Sequence, residues 1–312
     1  MIEAATRVDA PEVIVDTAET YAGRLRHGWD GDPPHAFLGR VDGVAVGVLT
    51  IDTPTYDNRD VAWFEVEVHP DYRGRGIGSE LMEFGFKQAA ERGRTSLGFT
   101  QWDLPKADAF AKKHGFEAKS VEVNRRQDLA NVDWPTVERL YAEAVEASKE
   151  YELLRLSDDL PEEMLEAMTA LTASINDAPT DDLDIEDEVF TPERLRAFEV
   201  AQKGRDQRIH RVIARHKNTG ALAGHSTVMV EHGRPHIAWQ ADTAVDRAHR
   251  GHRLGVLVKI GMLRWLREVA PAVELVDTWN AESNAHMIGV NDQIGYRVIA
   301  RAIDYQRPAD AK

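Results

Sequence analysis

A glycine-rich segment at residues 73–79 carries the clearest chemistry in this sequence of 312 residues. Three glycines and two arginines lie between an extended pattern at 61–69 and a helical pattern at 76–92. Glycine lets a backbone approach a ligand closely, and the first amides of a helix have no intrahelical acceptor. The helix dipole adds partial positive charge at that end. The segment therefore predicts a site that holds a pyrophosphate on backbone amides, with Arg73 and Arg75 adding full charges.

A second segment, at residues 250–255, repeats this pattern. Arg250 follows Arg73 by 177 positions (250 − 73). The glycine–aromatic pairs that end at Phe116 and Tyr296 are 180 positions apart (296 − 116). Two landmarks at nearly one offset indicate an internal repeat. In the second copy Arg253 stands where the first copy has a glycine, which leaves two roles open: this arginine contacts phosphate, or it fills the site.

Two acidic residues lie at equivalent places in the strands before these segments. Glu65 and Asp242 are also 177 positions apart (242 − 65), each eight residues before its loop arginine. A carboxylate there is a candidate general base for removing a proton from an amine. A bulge in the same strand would supply an N–H donor to a developing oxyanion. The alternative is that both acids are structural or face solvent.

The first loop, with Val68-His69-Pro70-Asp71-Tyr72 before it and Ser79-Glu80-Leu81 after it, resembles the acyl-CoA loop of the GNAT superfamily of acetyltransferases. Arg73, Gly76 and Gly78 match the family's Gln/Arg-x-x-Gly-x-Gly/Ala pattern. The resemblance implies acetyl-CoA as cosubstrate and no metal. It implies that acetyl-CoA is bound by Val66, Val68, Arg73, Gly74, Arg75, Gly76, Ile77, Gly78 and Ser79 in the first copy, and by Val245, Arg250, Gly251, His252, Arg253, Leu254, Gly255 and Asn284 in the second.

The repeat and the resemblance together imply an α/β fold with two tandem GNAT domains, each a mixed and mostly antiparallel sheet flanked by helices. We expect an N-terminal domain at 1–132, a connecting helix at 133–150 and a C-terminal domain at 151–312. Such tandem proteins are common in actinobacteria and include mycothiol synthase, whose C-terminal copy performs the transfer. By analogy we expect acceptor chemistry in the second copy and coenzyme binding in the first, with activity in both copies as the alternative.

Periodicity predicts the elements that position these residues. In the first copy we expect a short strand at 2–8, a helix at 10–25 capped by Asp9, and a hairpin of strands 36–41 and 44–52 around Asp42-Gly43. A strand at 95–100, a helix at 106–114 and a strand at 118–125 follow. The second copy is expected to have strands at 152–156, 211–215, 221–230, 236–245, 274–279 and 297–305, and helices at 161–175, 192–203, 255–269 and 284–293.

The composition of the chain limits the chemistry and the kinds of binding partner that we expect. The chain has no cysteine and a net charge of −15, so thiolate chemistry is excluded and nucleic acid is an unlikely match for so acidic a surface. No apolar run approaches a membrane span and no secretion signal is evident, so we expect a cytoplasmic protein. An acidic loop at 176–190 would attract a cationic amine, although such runs are often only solvated.

The sequence thus predicts an N-acetyltransferase that passes an acetyl group from acetyl-CoA to a primary amine of a small, possibly cationic molecule. The resemblance also implies a tyrosine general acid five residues before Phe116 and Tyr296, but Ala111 and Asn291 stand there. This departure supports the alternative that one or both copies bind CoA without catalysis, as a scaffold or sensor.

Overall fold

A computed structural model describes residues 1–311, in which eleven strands form one sheet flanked by helices. The strands are β1 (His35–Val41), β2 (Val44–Asp52), β3 (Val61–Val68), β4 (Ser96–Trp102), β5 (Glu117–Asp128), β6 (Tyr151–Ser157), β7 (Gln207–His216), β8 (Leu222–Glu231), β9 (Ile237–Val245), β10 (Leu275–Ala281) and β11 (Tyr296–Pro308). The α-helices are α1 (Ile2–Asp9), α2 (Ala18–His27), α3 (Ile77–Glu91), α4 (Pro105–Lys113), α5 (Trp134–Ala147), α6 (Leu165–Thr172), α7 (Pro192–Gly204), α8 (Leu254–Val269) and α9 (Ala285–Gln293). The predicted mixed sheet flanked by helices is confirmed.

Local signals place most elements within a few residues of their predicted bounds. The β1–β2 hairpin turns at Asp42 and Gly43, which both have positive φ, 50° and 82°. Helix α7 begins as expected, with the Thr191 side chain accepting a hydrogen bond from the Arg194 amide at 3.1 Å. Turn and cap residues are specified by short-range hydrogen bonds and φ preferences, so they can be predicted without knowledge of the rest of the fold.

The N-terminal prediction was wrong in two respects. Residues 2–8 form helix α1 rather than a strand, and the next helix, α2, begins only at Ala18, with Thr17 as its N-cap. Pro11 and the β-branched run at 13–15 disfavour helix, whereas the alanine-rich start of the chain favours it. Asp9 caps nothing; its carboxylate instead pairs with Arg73 and Lys106.

The strand order is β1-β2-β3-β4-β11-β5-β10-β9-β8-β7-β6, so the last strand of each repeat leaves its own copy. Strand β11 lies between β4 and β5, and β5 pairs with β10. We call residues 1–132 the N-terminal half and residues 151–312 the C-terminal half. Because each half contributes a strand to the other, one continuous sheet joins them.

Neighbouring strands are antiparallel except in two parallel pairs, β3–β4 and β9–β10. These pairs hydrogen-bond only at their first residues, Val61–Phe64 with Ser96–Phe99 and Ile237–Trp239 with Leu275–Asp277. Beyond these residues the strands separate, and each pair opens a gap at its carboxyl end. Each glycine-rich loop leaves its strand at this gap, and helix α3 or α8 follows at once.

Candidate active site

The N-terminal loop has the open shape that a pyrophosphate site needs. Gly74 and Gly76 adopt φ of 74° and 89°, and a Cβ added to either would have no atom within 4 Å. Within residues 1–311, none of the amides of 74–79 donates to a backbone carbonyl. Six free amides at a helix N-terminus, with space in front of them, fit the phosphates of a coenzyme.

Arg73 is used differently from the expectation. Its guanidinium donates to both carboxylate oxygens of Asp9, at 2.9 and 2.7 Å, and to the carbonyl of Val68 at 3.0 Å. Arg75 donates to the carbonyl of Asp71 at 2.8 Å. Arg73 therefore ties the loop to the end of α1, and Arg75 ties it to the residues just before it, while the backbone amides face the open side. Lys113, held by Ser79 at 2.8 Å, adds a cation to the wall of the cleft.

The C-terminal loop keeps this backbone shape without its central glycine. Gly251 has φ of 85°, and Arg253 is left-handed at φ 55° and ψ 24°. In the described chain the amides of 251–256 likewise donate to no backbone carbonyl. The Arg253 guanidinium donates to Glu143 of α5 at 2.8 Å, which anchors it to the connecting helix. Arg250 repeats the Arg73 arrangement by pairing with Asp177.

Each loop opens into a cleft. The N-terminal cleft has a volume of about 430 Å³, and the C-terminal cleft about 1080 Å³. The predicted residues that line them are Val66, Val68, Arg73, Gly74, Gly76, Ile77, Gly78 and Ser79 in the first, and Val245, Arg250, Gly251, Arg253, Leu254, Gly255 and Asn284 in the second. Arg75 and His252 are not among the lining residues. The Asn284 side chain caps α9, accepting from the Met287 amide at 3.1 Å.

In the N-terminal half the predicted base is already paired. Glu65 accepts from Arg24 at 2.8 Å and from the Thr50 hydroxyl at 2.9 Å, and it lines a neighbouring pocket rather than the cleft. Glu67, one strand repeat further, lines both the cleft and that pocket. Burial, with the nearby charge of Asp9, raises the pKa of Glu67 to about 7. Strand alternation predicted that both acids share one face. They differ in that Glu65 is paired with Arg24 and Thr50, whereas Glu67 reaches the cleft.

In the C-terminal half the predicted base lies at a bulge. Ser226 pairs with Thr243 and Val228 with Gln240, so two residues of β9, one of them Asp242, face a single residue of β8. A bulge leaves its extra residue outside the ladder, where an amide is available to a ligand. Asp242 lines both the C-terminal cleft and a small pocket behind it, and burial raises the pKa of its carboxyl.

That small pocket, of about 90 Å³, is built from both halves. Trp29 and Asp30 come from the N-terminal half, whereas Glu188, Phe198 and Asp242 come from the C-terminal half. Burial, followed by the charge of Asp242, raises the pKa of Glu188 to about 7. Aromatic rings and carboxylates in one small pocket suit a cationic group.

The acidic loop at 176–190 is largely engaged in contacts within the protein. Asp177 pairs with Arg247 and Arg250, Asp181 accepts from Ser120 at 2.8 Å, and Glu186 accepts from the Asn58 amide at 3.1 Å. Of its acids, Asp177 and Glu188 line a cleft or pocket. The loop therefore joins the two halves through Asp181 and Glu186, and Glu188 is the acid that lines both the cleft and the small pocket.

One polar group that the sequence did not single out lies on the wall of the C-terminal cleft. Lys259 of α8 is 3% exposed and donates to Asn291, the residue at the expected tyrosine position, at 2.5 Å. In the sequence of α8, Lys259 lies between apolar residues that the helical repeat turns toward the core. A lysine at such a position was the one sign in the sequence that it has a special role. In the N-terminal half Met82 occupies the equivalent place (259 − 177) and is fully buried.

Two other kinds of site are absent from residues 1–311. These residues contain no cluster of three His, Asp or Glu side chains placed to hold a metal ion. None of their helices is long and apolar enough to cross a membrane.

Sequence comparison relates part of the chain to known proteins. Residues 5–116 match the acetyltransferase (GNAT) family. The mycothiol acetyltransferase of Amycolatopsis mediterranei is 32% identical over 117 residues, 36% of each chain. That of Stackebrandtia nassauensis is 29% identical over 136 residues, 43% of this chain and 42% of its own. The aligned segments therefore span well under half the length of these relatives.

Structural comparison covers the whole chain. A tandem GNAT protein from the clavulanic acid biosynthesis pathway matches 99% of this chain and 93% of its own, with a TM-score of 0.79 and 27% identity. A GCN5-related N-acetyltransferase from Sphaerobacter thermophilus shares the fold, with a TM-score of 0.69 and 17% identity over 99% of this chain. Residues 5–116 therefore form a GNAT acetyltransferase domain, and the chain shares its fold with a tandem GNAT protein.

Proposed function

We propose that this protein is an acetyl-CoA-dependent N-acetyltransferase that acts on the primary amine of a small cationic molecule, with the transfer in the C-terminal cleft. The carrying observation is the position of Asp242, which lines both an amide-lined cleft and the small pocket behind it. A coenzyme on one side and an amine on the other would meet at this residue.

Asp242 is suited to accept the amine's proton. Its carboxyl accepts no hydrogen bond from the described residues, and burial raises its pKa, which strengthens it as a base. The ammonium group of the acceptor loses its first proton to solvent, and the neutral amine attacks the thioester carbon. Asp242 takes the proton that the nitrogen gives up as the C–N bond forms. The bulge at Asp242 offers a backbone N–H to the oxygen that becomes negative. Collapse breaks the C–S bond and releases CoA.

The pocket behind Asp242 supports the choice of a cationic acceptor. Asp30, Glu188 and Asp242 line it together with two arginines, of which Arg194 pairs with Asp30 and Glu188, and Arg211 pairs with Glu199. Trp29 and Phe198 pack edge to face, with ring centroids 5.3 Å apart, and form an aromatic wall. A narrow pocket with this lining favours an alkylammonium group over an anion.

For the N-terminal half we propose coenzyme binding on the residue 73–79 loop. We further propose that the two halves, 1–132 and 151–312, are separate GNAT units joined at 133–150 that complete each other's sheets. The N-terminal strand pairing β2–β3 runs in unbroken register, and Ala111 and Met82 stand where the other half has polar groups. These features support a coenzyme-binding role without transfer for the N-terminal half. Glu67, which lines the N-terminal cleft, is the group that favours transfer in that half as well.

A matched pair of variants separates the clefts. Gly78 and Gly255 occupy the same place in the two loops, both with ordinary φ. A Cβ on Gly78 would lie 3.3 Å from the Phe110 ring and 3.7 Å from Val68, and a Cβ on Gly255 would lie 3.9 Å from Val245. Glutamate there sets a carboxylate against the coenzyme phosphates; at ~4 Å and an effective dielectric of ~20 the repulsion is roughly 4 kcal/mol, or on the order of 10³-fold in affinity.

The assay follows CoA release from acetyl-CoA with a panel of amines. A thiol reagent reports only CoA, because the protein has no cysteine. Gly255→Glu should lose release and one of two coenzyme sites by calorimetry, whereas Gly78→Glu should lose the other site only. Loss of release in Gly78→Glu alone would move the chemistry to the N-terminal cleft. Coenzyme binding without release for every amine would support the scaffold or sensor alternative.

A further inference from the structure

The C-terminal cleft holds a buried lysine that the steps above do not use. Lys259 lies on α8, and its Nζ donates to Asn291 Oδ1 at 2.5 Å. Asn291 in turn donates from Nδ2 to Asn280 Oδ1 at 2.8 Å, which fixes the orientation of its amide. Lys259 and Asn280 both line the cleft, whereas Asn291 is wholly buried behind them.

Among residues 1–311, the surroundings of Lys259 provide no compensating carboxylate. Its Nζ lies 3.8 Å from Met287 Sδ on α9 and 5.0 Å from the Tyr296 ring centre on β11. The nearby charges are already paired: Arg125 of β5 with Asp292, and Asp277 of β10 with Arg126. An ammonium group buried among neutral partners is costly to a fold.

The N-terminal half shows that the fold does not need this lysine. Met82 and Ala111 occupy the places of Lys259 and Asn291, and both are fully buried. The same helix pair is therefore packed with apolar side chains in one half and with a polar relay in the other. If Lys259 had only a structural role, no carboxylate contact in the part of the chain that the structure describes would offset the free-energy cost of burying its ammonium group.

We propose that Lys259 is the general acid that protonates the departing CoA thiolate in the C-terminal cleft, with Asn291 and Asn280 as its positioning residues. This inference rests on the proposed acetyl transfer. As the C–S bond breaks, sulfur takes a proton from the Lys259 ammonium and leaves a neutral amine. The proton of the acceptor amine goes to Asp242, and solvent later returns one proton to Lys259 and removes one from Asp242.

The acidity of Lys259 suits this step. Burial, with the nearby charge of Arg125, lowers its pKa to about 7. A CoA thiol near the ordinary value of about 8.5 is then the stronger base, so proton transfer to sulfur is downhill. Above pH 7 the ammonium is progressively lost, and the rate should fall with it.

The first test compares Lys259→Met, which installs the N-terminal half's own residue, with the unmodified chain. We expect kcat at pH 7 to fall about 10²-fold, the low end for general acids because a thiolate leaves readily. The decline above pH 7 should disappear in this variant. Asn291→Asp should instead shift that decline upward by about one pH unit or more, since a carboxylate raises the pKa of the lysine. Unchanged kcat and pH profiles in both variants would overturn the inference while leaving acetyl transfer intact.

A second test needs no amine. The ultraviolet absorbance of the thiolate follows the titration of bound CoA, and the protein contributes no thiol. At pH 7, where part of Lys259 is still an ammonium, the CoA in the C-terminal cleft should show at least about 3-fold more thiolate absorbance than in Lys259→Met, because an ammonium beside the sulfur stabilises the thiolate. Identical absorbance would overturn the inference even if transfer is observed. A Lys259-dependent difference without transfer to any amine would support the lysine's position at the sulfur while refuting the proposed function.

Discussion

Arg194 offers a sharp test of how the two halves hold together. Its guanidinium donates to Asp30 at 2.6 Å, to Asp57 at 2.7 Å and to Glu188 at 3.3 Å, and it is only 9% exposed. Two of these acids belong to the N-terminal half. Replacing Arg194 with leucine keeps much of the volume but leaves the three carboxylates facing one another without this cation.

The cost of this change can be worked from the contacts. Removing one partner of a buried ion pair costs about 3–5 kcal/mol, so Arg194→Leu should lose roughly 4 kcal/mol in the free energy of unfolding at pH 7.5. Burial by itself raises the pKa of Asp57, but hydrogen bonds from Asn58, the Val189 amide and Arg194 hold it below its ordinary value. Without Arg194 we expect the carboxyl pKa values to rise.

The sign of the pH dependence follows from these shifts. A carboxyl with a lowered pKa stabilises the fold above its unfolded pKa of about 4, and this contribution changes little between pH 7.5 and 5. A carboxyl with a raised pKa destabilises the fold at pH 7.5, and that penalty shrinks as the group takes up a proton. The loss in Arg194→Leu should therefore fall to about 2 kcal/mol or less at pH 5, at ~1.4 kcal/mol per pH unit per proton.

Urea unfolding at the two pH values measures both quantities. Arg215→Leu is the control, because Arg215 pairs with Glu152 at 2.7 Å on the surface and should cost at most about 1 kcal/mol at either pH. Adding Asp30→Asn and Asp57→Asn to Arg194→Leu should recover part of the loss at pH 7.5. A loss below about 1 kcal/mol at pH 7.5, or one that is equal at pH 5, would refute this account of the cluster.

Three further outcomes concern single positions. Arg253 is left-handed at φ 55°, so Arg253→Gly should change the free energy of unfolding by at most about 1 kcal/mol and should retain coenzyme binding by calorimetry. The β-branched Arg253→Val should lose more than about 1 kcal/mol and bind the coenzyme more weakly. Burial, with the charge of Arg211, lowers the pKa of His225 to about 4, so its ring should stay neutral by NMR down to pH 5. The free energy of unfolding should fall by about 3 kcal/mol between pH 6.5 and 4, because the unfolded chain takes up this proton before the folded state does. A Cβ on Gly98 would lie 1.9 Å from the Trp63 ring, so Gly98→Ala should lose about 3 kcal/mol in thermal unfolding, whereas Gly289→Ala, with open space, should lose none.

The sequence predicted those parts of the fold that short-range chemistry decides. The turn at Asp42-Gly43, the cap at Thr191 and the loops before α3 and α8 each depend on residues only a few positions apart. The exchange of β5 and β11 was not predictable in this way. Both strands have the same pattern, and either neighbour would satisfy their backbone hydrogen bonds, so only the packing of the two halves decides between them.

In the candidate site, too, short-range features were predictable and long-range contacts were not. The loop glycines follow directly from the sequence pattern, but the difference between Glu65 and Glu67 depends on Arg24 and Thr50, which are distant in the chain. The roles of Arg73 and Arg75 also depend on their partners: charge alone predicted phosphate contacts, whereas the carboxylate of Asp9 and two carbonyls take their guanidinium groups.

Besides the exchanged strands, side chains of each half complete a pocket of the other half. Trp29 and Asp30 close the pocket behind Asp242, and Trp279 from the C-terminal half reaches the pocket beside Glu65, where it stacks on Trp102 at 6.0 Å. A copy freed from its partner would lose a wall of its pocket and expose an unpaired edge of the sheet. One copy can therefore lose its polar groups, as at Met82, and still be required, because its surface completes the pocket of the other.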